Sequence, residues 1–245
     1  MNGFAAGTLV HTNKGLIPIE KINVGDMVLS KPENVERELV YQPVTKTFIS
    51  DKREVWALFH QNCDAIDWRK DLKVVFVTGG HPIWVQEYEG SNAVDPVQVN
   101  GWMRPDELFE QSAVAIAKVS ASGQFVEMYA QPVLATPYKD IGYLVSSWDH
   151  MPEFVIESKE NKVQAYDVEH IFDRQGRELT IDESNSVNKI LTGHESLDVV
   201  QRFMTCFEQN KHGGFYDRYK TRAYNFNVAN YYTYFVEERG IWVHQ

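Results

Sequence analysis

The sequence predicts an all-β fold, and three observations predict it. Short apolar runs recur at close intervals over residues 4 to 136 and return from 223 onward. The breaks between them are turn-forming, at Asn13-Lys14-Gly15, Val24-Gly25-Asp26 and Glu237-Glu238-Arg239-Gly240. The runs are rich in valine, isoleucine, phenylalanine and tyrosine, which fit a pleated, half-buried surface. Strands spaced so closely leave no place for a doubly wound layer.

Taken in order, Leu9 to Thr12 and Leu16 to Ile19 read as a tight hairpin across Asn13-Lys14-Gly15. The turn at Val24-Gly25-Asp26 delivers Met27-Val28-Leu29 as the next strand. Tyr41 to Ile49 and Glu54 to His60 follow as strands, and Gln61 to Asp71 as an exposed loop. Val74 to Val77 is a strand, with Ile83-Trp84-Val85 as its continuation after a bend, and Gln86 to Asn100 is polar. Within Gly101 to Leu108, an early proline and acids near the positive end predict one helical turn. Ala113 to Val119 and Gln124 to Val133 are further strands. Residues 137 to 222 change texture, with more charge and longer polar spacers, and read as an accessory lobe on a β body formed by 1 to 136 and 223 to 245. Inside that lobe, Leu197, Val200, Phe203, Met204 and Phe207 share one face and Thr192 with Glu195 forms a capping-box pattern, so a helix is expected over 195 to 209. The chain then closes on Tyr224 to Val228, Tyr231 to Val236 and Ile241-Trp242-Val243.

Composition narrows the function classes. With 245 residues, 13 % aromatic and 24 % charged, the chain has ordinary globular composition and enough length to bury a core. A formal net charge of −10 argues against a chain built to hold nucleic-acid phosphates. No apolar run approaches the about eighteen residues of a membrane helix, so no membrane insertion is expected. Cys63 and Cys206 are far apart and have no Cys-x-x-Cys partner. His150, His170, His194 and His212 lack metal-ligand spacing, and neither a metal nor a cofactor is expected. Trp84, Trp102 and Trp242 read as core, and His11 as a residue on the outer face of a strand.

The stretch around which the rest is organised is Val74 to Val85, where Thr78 and His81 stand three residues apart across Gly79 and Gly80. Two glycines there let the chain approach something closely. Together with FAAGTLVHTNKGLIPIEKINVGDMVLS at 4 to 30, Gly101-Trp102 with Leu108, YNFNVANYYTYFV at 224 to 236 and GIWVHQ at 240 to 245, this stretch resembles the Hint family of inteins, hedgehog autoprocessing regions and polymorphic-toxin processing domains, the bacterial pretoxin branch most of all. The five segments lie in the family's order.

The resemblance implies a horseshoe of short antiparallel strands with pseudo-twofold halves and a small helix-containing insertion. Both chain ends would meet beside Thr78 and His81. It implies single-turnover autoprocessing: a first-residue nucleophile attacks the preceding carbonyl, Thr78 and His81 polarise that amide and protonate its nitrogen, and a terminal asparagine cyclises with help from a penultimate histidine, here His244. Partners would be a delivery region before the domain and a toxin after it in one bacterial, exported precursor, with the domain itself a monomer. Several slots depart from the family's pattern. The nucleophile slot falls on Gly3, or on Met1 in a variant register, and neither can attack. The terminal Asn is Gln245, whose cyclisation closes a six-membered ring in place of a five-membered one. Tyr232 stands where a histidine is expected and Asn225 where many relatives carry aspartate. Attenuated or absent activity is therefore expected of the chain as it stands. Two other classes remain: a catalytically silent Hint scaffold or docking module, and a β-rich domain whose acidic lobe binds a partner.

Overall fold

The computed structural model describes residues 2–33, 39–66, 71–90, 95–110, 114–118, 125–145, 152–159, 162–167, 202, 203, 205 and 217–245. They form a mostly antiparallel β protein. Its strands are β1 (Phe4–Ala5), β2 (Leu9–Thr12), β3 (Gly15–Pro18), β4 (Met27–Ser30), β5 (Val40–Glu54), β6 (Trp56–Asn62), β7 (Lys73–Val77), β8 (Ile83–Glu89) and β9 (Val97–Met103). A short helix α1 (Pro105–Glu110) separates these from β10 (Val114–Lys118), β11 (Phe125–Pro132), β12 (Leu134–Ala135), β13 (Ile141–Val145), β14 (Pro152–Lys159) and β15 (Lys162–Asp167). The chain ends on β16 (Lys220–Val228), β17 (Thr233–Val236) and β18 (Ile241–His244).

The main sheet runs β10-β11-β6-β7-β1-β16-β5-β4-β2-β17-β18-β8-β9, and β10 also pairs with β8, so the ladder returns on itself. A second sheet, β12-β13-β14-β15, lies apart from it in pairing. The two are joined by packing. Along β6, Leu58 faces the core with Phe4, Val75, Val77 and Phe226, while Ala57 and Phe59 face a second core with Leu144, Phe154 and Ile156 of the other sheet. That is why β6 and β7 read as continuous apolar runs: both of their faces are covered.

The hairpin at residues 9 to 18 forms, with a tighter turn than expected: Gly15 belongs to the second strand, so Thr12 stands opposite Gly15 and Leu9 opposite Pro18. Other expectations shift. β8 is no continuation of β7, since β7 pairs with β1 and β6 whereas β8 pairs with β18, β9 and β10. The bend at 78 to 82 therefore carries the chain between separate parts of the ladder. The polar stretch 86 to 100 holds the ends of β8 and β9, joined at Tyr88 opposite Val97. Most of the described part of the 137–222 lobe is strand, its sheet begins at Leu134, and the β body resumes at Lys220. Of the expected 195–209 helix, Arg202, Phe203 and Thr205 are described and all three are helical. Phe203 is buried against Tyr143 of β13 at a ring separation of 5.3 Å. His150, His170, His194, His212 and Cys206 lie outside the described residues.

The C-terminal hairpin is tied across the fold by Arg239. Its guanidinium pairs with Asp71 at 2.8 Å and donates to His60 Nδ1 at 2.8 Å and to the His60 carbonyl at 3.0 Å. A bidentate-capable donor at a tight turn thus anchors that turn to the β6–β7 hairpin.

Candidate functional site

Both chain ends reach the segment from Thr78 to Ile83. At the N-terminal end, Thr78 N–H donates to the Gly3 carbonyl at 2.9 Å and the Gly3 N–H donates to Thr78 Oγ1 at 2.9 Å. β1 is held between β7 and β16, with Phe4 opposite both Val77 and Tyr224. At the C-terminal end, His244 N–H donates to the Pro82 carbonyl at 3.1 Å and Val243 is paired with Ile83.

The Asn2–Gly3 peptide is gripped from two sides. While Thr78 Oγ1 takes its N–H, Asn225 Nδ2 donates to its carbonyl oxygen, that of Asn2, at 3.1 Å. The amide of Asn225 has no freedom to flip. Its Oδ1 accepts from Phe226 N–H at 2.8 Å and from the Tyr234 hydroxyl at 2.9 Å, so Nδ2 is the atom left to face Asn2. Burial pushes the Tyr234 phenol upward in pKa, keeping it protonated and a donor. An aspartate at 225 would turn an oxygen toward the Asn2 oxygen; asparagine turns a donor toward it.

Gly3 is closed to substitution. A Cβ there would stand 2.3 Å from the Tyr224 carbonyl oxygen. The slot that the family resemblance assigns to a nucleophile is filled by the backbone of β16. At Gly79 a Cβ would meet a side chain instead, Trp56 Nε1 at 2.4 Å, so a larger residue there requires the indole to shift.

His81 is fully buried, edge-on to Phe4 at 4.5 Å, with both ring nitrogens unpaired among the described residues. Burial first and the neighbouring His244 second push its pKa down to about 3, so the ring is neutral near pH 7 and a weak base.

His244 sits on a cluster of tryptophans. Trp242 lies 4.8 Å from both Trp84 and Trp102, and Trp102 lies edge-on to His244 at 5.4 Å. His244 Nε2 contacts Glu33 Oε1 at 3.0 Å, and Nδ1 lies 3.0 Å from the Gln245 carbonyl oxygen. Both partners are acceptors, so both contacts are hydrogen bonds only when each ring nitrogen carries a proton. Gln245 itself is fixed by its N–H on the Tyr232 carbonyl at 2.9 Å and by Val228 N–H donating to its Oε1.

Tyr232 corrects an expectation. The residue is 55 % exposed and its backbone is left-handed, φ 60°, just before β17. That backbone turns the phenol toward solvent, and the residue meets the site through its carbonyl alone. Cys63 is exposed beyond the end of β6 remote from Trp56, far from Gly3. Glu33 and Asn2 carried no signal in the sequence: an isolated acid after a strand and an asparagine before a glycine are common, and only long-range contact distinguishes them. Among the described residues no group of histidines, cysteines and acids is arranged for a metal ion.

No family model and no curated protein matches the chain. Among solved structures it is similar to a bacterial intein-like domain from Clostridium thermocellum, at 16 % identity over all of this chain and 99 % of that one, TM-score 0.47. It is also similar to the DnaB intein from Synechocystis, at 10 % identity over all of this chain and 98 % of that one, TM-score 0.45. Both relatives are intein or intein-like structures. At such identities and TM-scores the chemistry has to be read from this chain's own atoms.

The buried titrating groups predict how stability varies with pH. His60, like His81, is pushed down to about 3, by burial and then by Arg239 and Lys73. Burial pushes Glu237 up to about 7, partly offset by the Leu9 N–H on its carboxylate. Between roughly pH 3 and 6.5 the unfolded chain binds protons at both histidines that the folded chain refuses, so stability falls on acidification, by about 1.4 kcal/mol per pH unit for each. Glu237 has the opposite sign: the folded chain keeps a proton that the unfolded chain loses, and stability falls as pH rises from about 4.5 to 7. Urea unfolding is therefore expected to show the steepest loss below pH 4.5, where the histidines are unopposed, with Glu237→Gln roughly doubling the slope between pH 4.5 and 6.5, where that carboxyl otherwise cancels one histidine. A stability that is level or rising on acidification from pH 6.5 to 4 contradicts this assignment.

Proposed function

We propose that the chain is an intein-like self-processing domain that cuts a peptide bond at its own junctions. The observation that supports it is the convergence of both ends on residues 78 to 83, with the Asn2–Gly3 amide held by Thr78 and Asn225 and the Gln245 carbonyl faced by His244. A hydrogen-bond donor on a carbonyl oxygen stabilises the oxyanion of a tetrahedral intermediate, and each end supplies one. In a chain that continues past 245, the Gln245 carbonyl belongs to the bond to be cut. Attack by its own side-chain nitrogen releases the downstream segment as an amine and leaves a cyclic imide. The flanks would be a delivery region and a toxin of one bacterial precursor.

The test is intact mass of fusions carrying a small reporter at each end, as given and with Gln245→Asn. Release of either reporter from folded protein, at the bond named, is the expected result; folded chains with all junctions whole overturn the reading and leave a scaffold. Glu33 is a positioning residue for His244. In the Gln245→Asn chain, Glu33→Gln is expected to slow C-terminal release about tenfold, as for loss of one charge-assisted hydrogen bond of about 1.5 kcal/mol. Glu33→Asp, which keeps the carboxylate, is expected to recover part of that rate. A rate unchanged in Glu33→Gln, or no faster in Glu33→Asp than in Glu33→Gln, would show Glu33 to be merely structural.

A further inference from the structure

The N-terminal junction lacks a nucleophile at residue 3, yet its clamp is intact. A clamp without an attacking atom prompts the question of which atom nearby could attack, and the residue on the other side of the same bond supplies one. Asn2 carries a side-chain amide nitrogen four bonds from its own carbonyl carbon, the arrangement that closes a five-membered ring. We infer that this chain cuts its own Asn2–Gly3 bond by cyclisation of the Asn2 side chain, with Asn225 and Thr78 holding the reacting amide.

The contacts serve each step. Asn2 Nδ2 donates to the Gly80 carbonyl at 2.6 Å, which fixes the side chain beside the Thr78 turn and draws on the N–H that must be lost. Asn225 Nδ2 stands on the carbonyl oxygen where negative charge develops on attack. Thr78 Oγ1 is on the nitrogen that must leave, placed to return a proton to it. Asn2 also lines a cleft of about 340 Å³ with Thr78, Gly79, Gly80, Trp56 and Asp106, which gives solvent access to the bond. Asn2 Nδ2 bonds to the Asn2 carbonyl carbon, the bond from that carbon to Gly3 N breaks, and one proton passes from the attacking to the departing nitrogen. The upstream product ends in a succinimide and the downstream product begins with the free amine of Gly3. No water, oxidant or cofactor enters until the imide is hydrolysed.

The competing reaction of an Asn-Gly pair is attack of the glycine nitrogen on the asparagine side chain, giving deamidation without cutting. Here the Gly3 N–H is occupied by Thr78 and Gly3 is pinned by the Tyr224 backbone, which keeps its nitrogen from turning onto the Asn2 side chain. The favoured route is thereby the one that moves the Asn2 side chain and leaves Gly3 in place.

The inference rests on the self-processing reading in treating 2–3 as a junction, and it is tested at that junction alone. A reporter is fused ahead of residue 1 of the full chain, and intact mass is followed over days at neutral pH. The expected result is a chain beginning at Gly3 together with a reporter peptide ending at Asn2 and lighter by one water than its hydrolysed form. Asn2→Ala, a change at a part-exposed position, is expected to abolish release, and Asn225→Ala and Thr78→Val to slow it at least tenfold. Cys63→Ser, an exposed change far from Gly3, should leave it unchanged, and because the mass of each product names the bond that was cut, failure at one end is separable from failure at the other. Three results overturn the inference: no release from a folded chain, release that persists in Asn2→Ala, or deamidation at Asn2 with the bond intact.

Discussion

Gln245→Asn is expected to speed release of a C-terminal reporter at least tenfold, and His244→Ala in that background to slow it by on the order of a hundredfold. The first effect comes from ring size: asparagine closes a five-membered imide, while glutamine must order one more rotatable bond to close six. The main-chain anchor, Gln245 N–H on the Tyr232 carbonyl, does not depend on the side chain and survives the exchange. The second effect comes from the contact of His244 Nδ1 with the residue 245 carbonyl at 3.0 Å, which has no substitute once the ring is removed. Rates from intact mass, with unfolding curves to verify that each chain is folded, decide the matter. Equal rates for Gln245→Asn with and without His244 would remove the histidine from the chemistry.

Gly3→Ala is expected to destabilise the fold by about 3 kcal/mol, the upper range for overpacking, because the obstacle is main chain. A Cβ at residue 3 would lie 2.3 Å from the Tyr224 carbonyl oxygen and 2.9 Å from its carbonyl carbon. β16 is held there by its pairing with β1 on one side and with β5 on the other, Tyr224 opposite both Phe4 and Ile49. Relief would have to move β1 off Thr78, so Gly3→Cys gains a thiol and loses the clamp that would use it. Thiol-dependent cleavage at Gly3→Cys is therefore not expected. A loss below about 0.5 kcal/mol in urea unfolding would show that β16 gives way freely.

The local pattern made much of the fold legible. The 9–18 hairpin, β4, β7 and the 237–240 turn follow from alternation and turn residues, signals a few residues long. The joining of β7 to β1 and of β8 to β18 was not legible as local pattern, because the bend at 78 to 82 sends two similar valine-rich strands to different neighbours. The 134–167 sheet was hidden for a related reason. Its apolar residues cover the outer face of β6, and a partner some 80 residues distant leaves no local period.

By itself the sequence determined which positions stand out: two glycines between Thr78 and His81, a histidine at 244, and a glycine at 3 that has no nucleophilic atom. The tertiary structure decided what those positions touch. It turned Asn225 Nδ2 toward Asn2 by giving Phe226 and Tyr234 the other end of the amide, brought Glu33 to His244, turned the Tyr232 ring into solvent, and filled the place of a residue 3 side chain with the Tyr224 carbonyl. Donor direction and close approach depend on atoms up to 223 positions apart in the chain. Residue types state which bonds a side chain can make, and only packing selects among them.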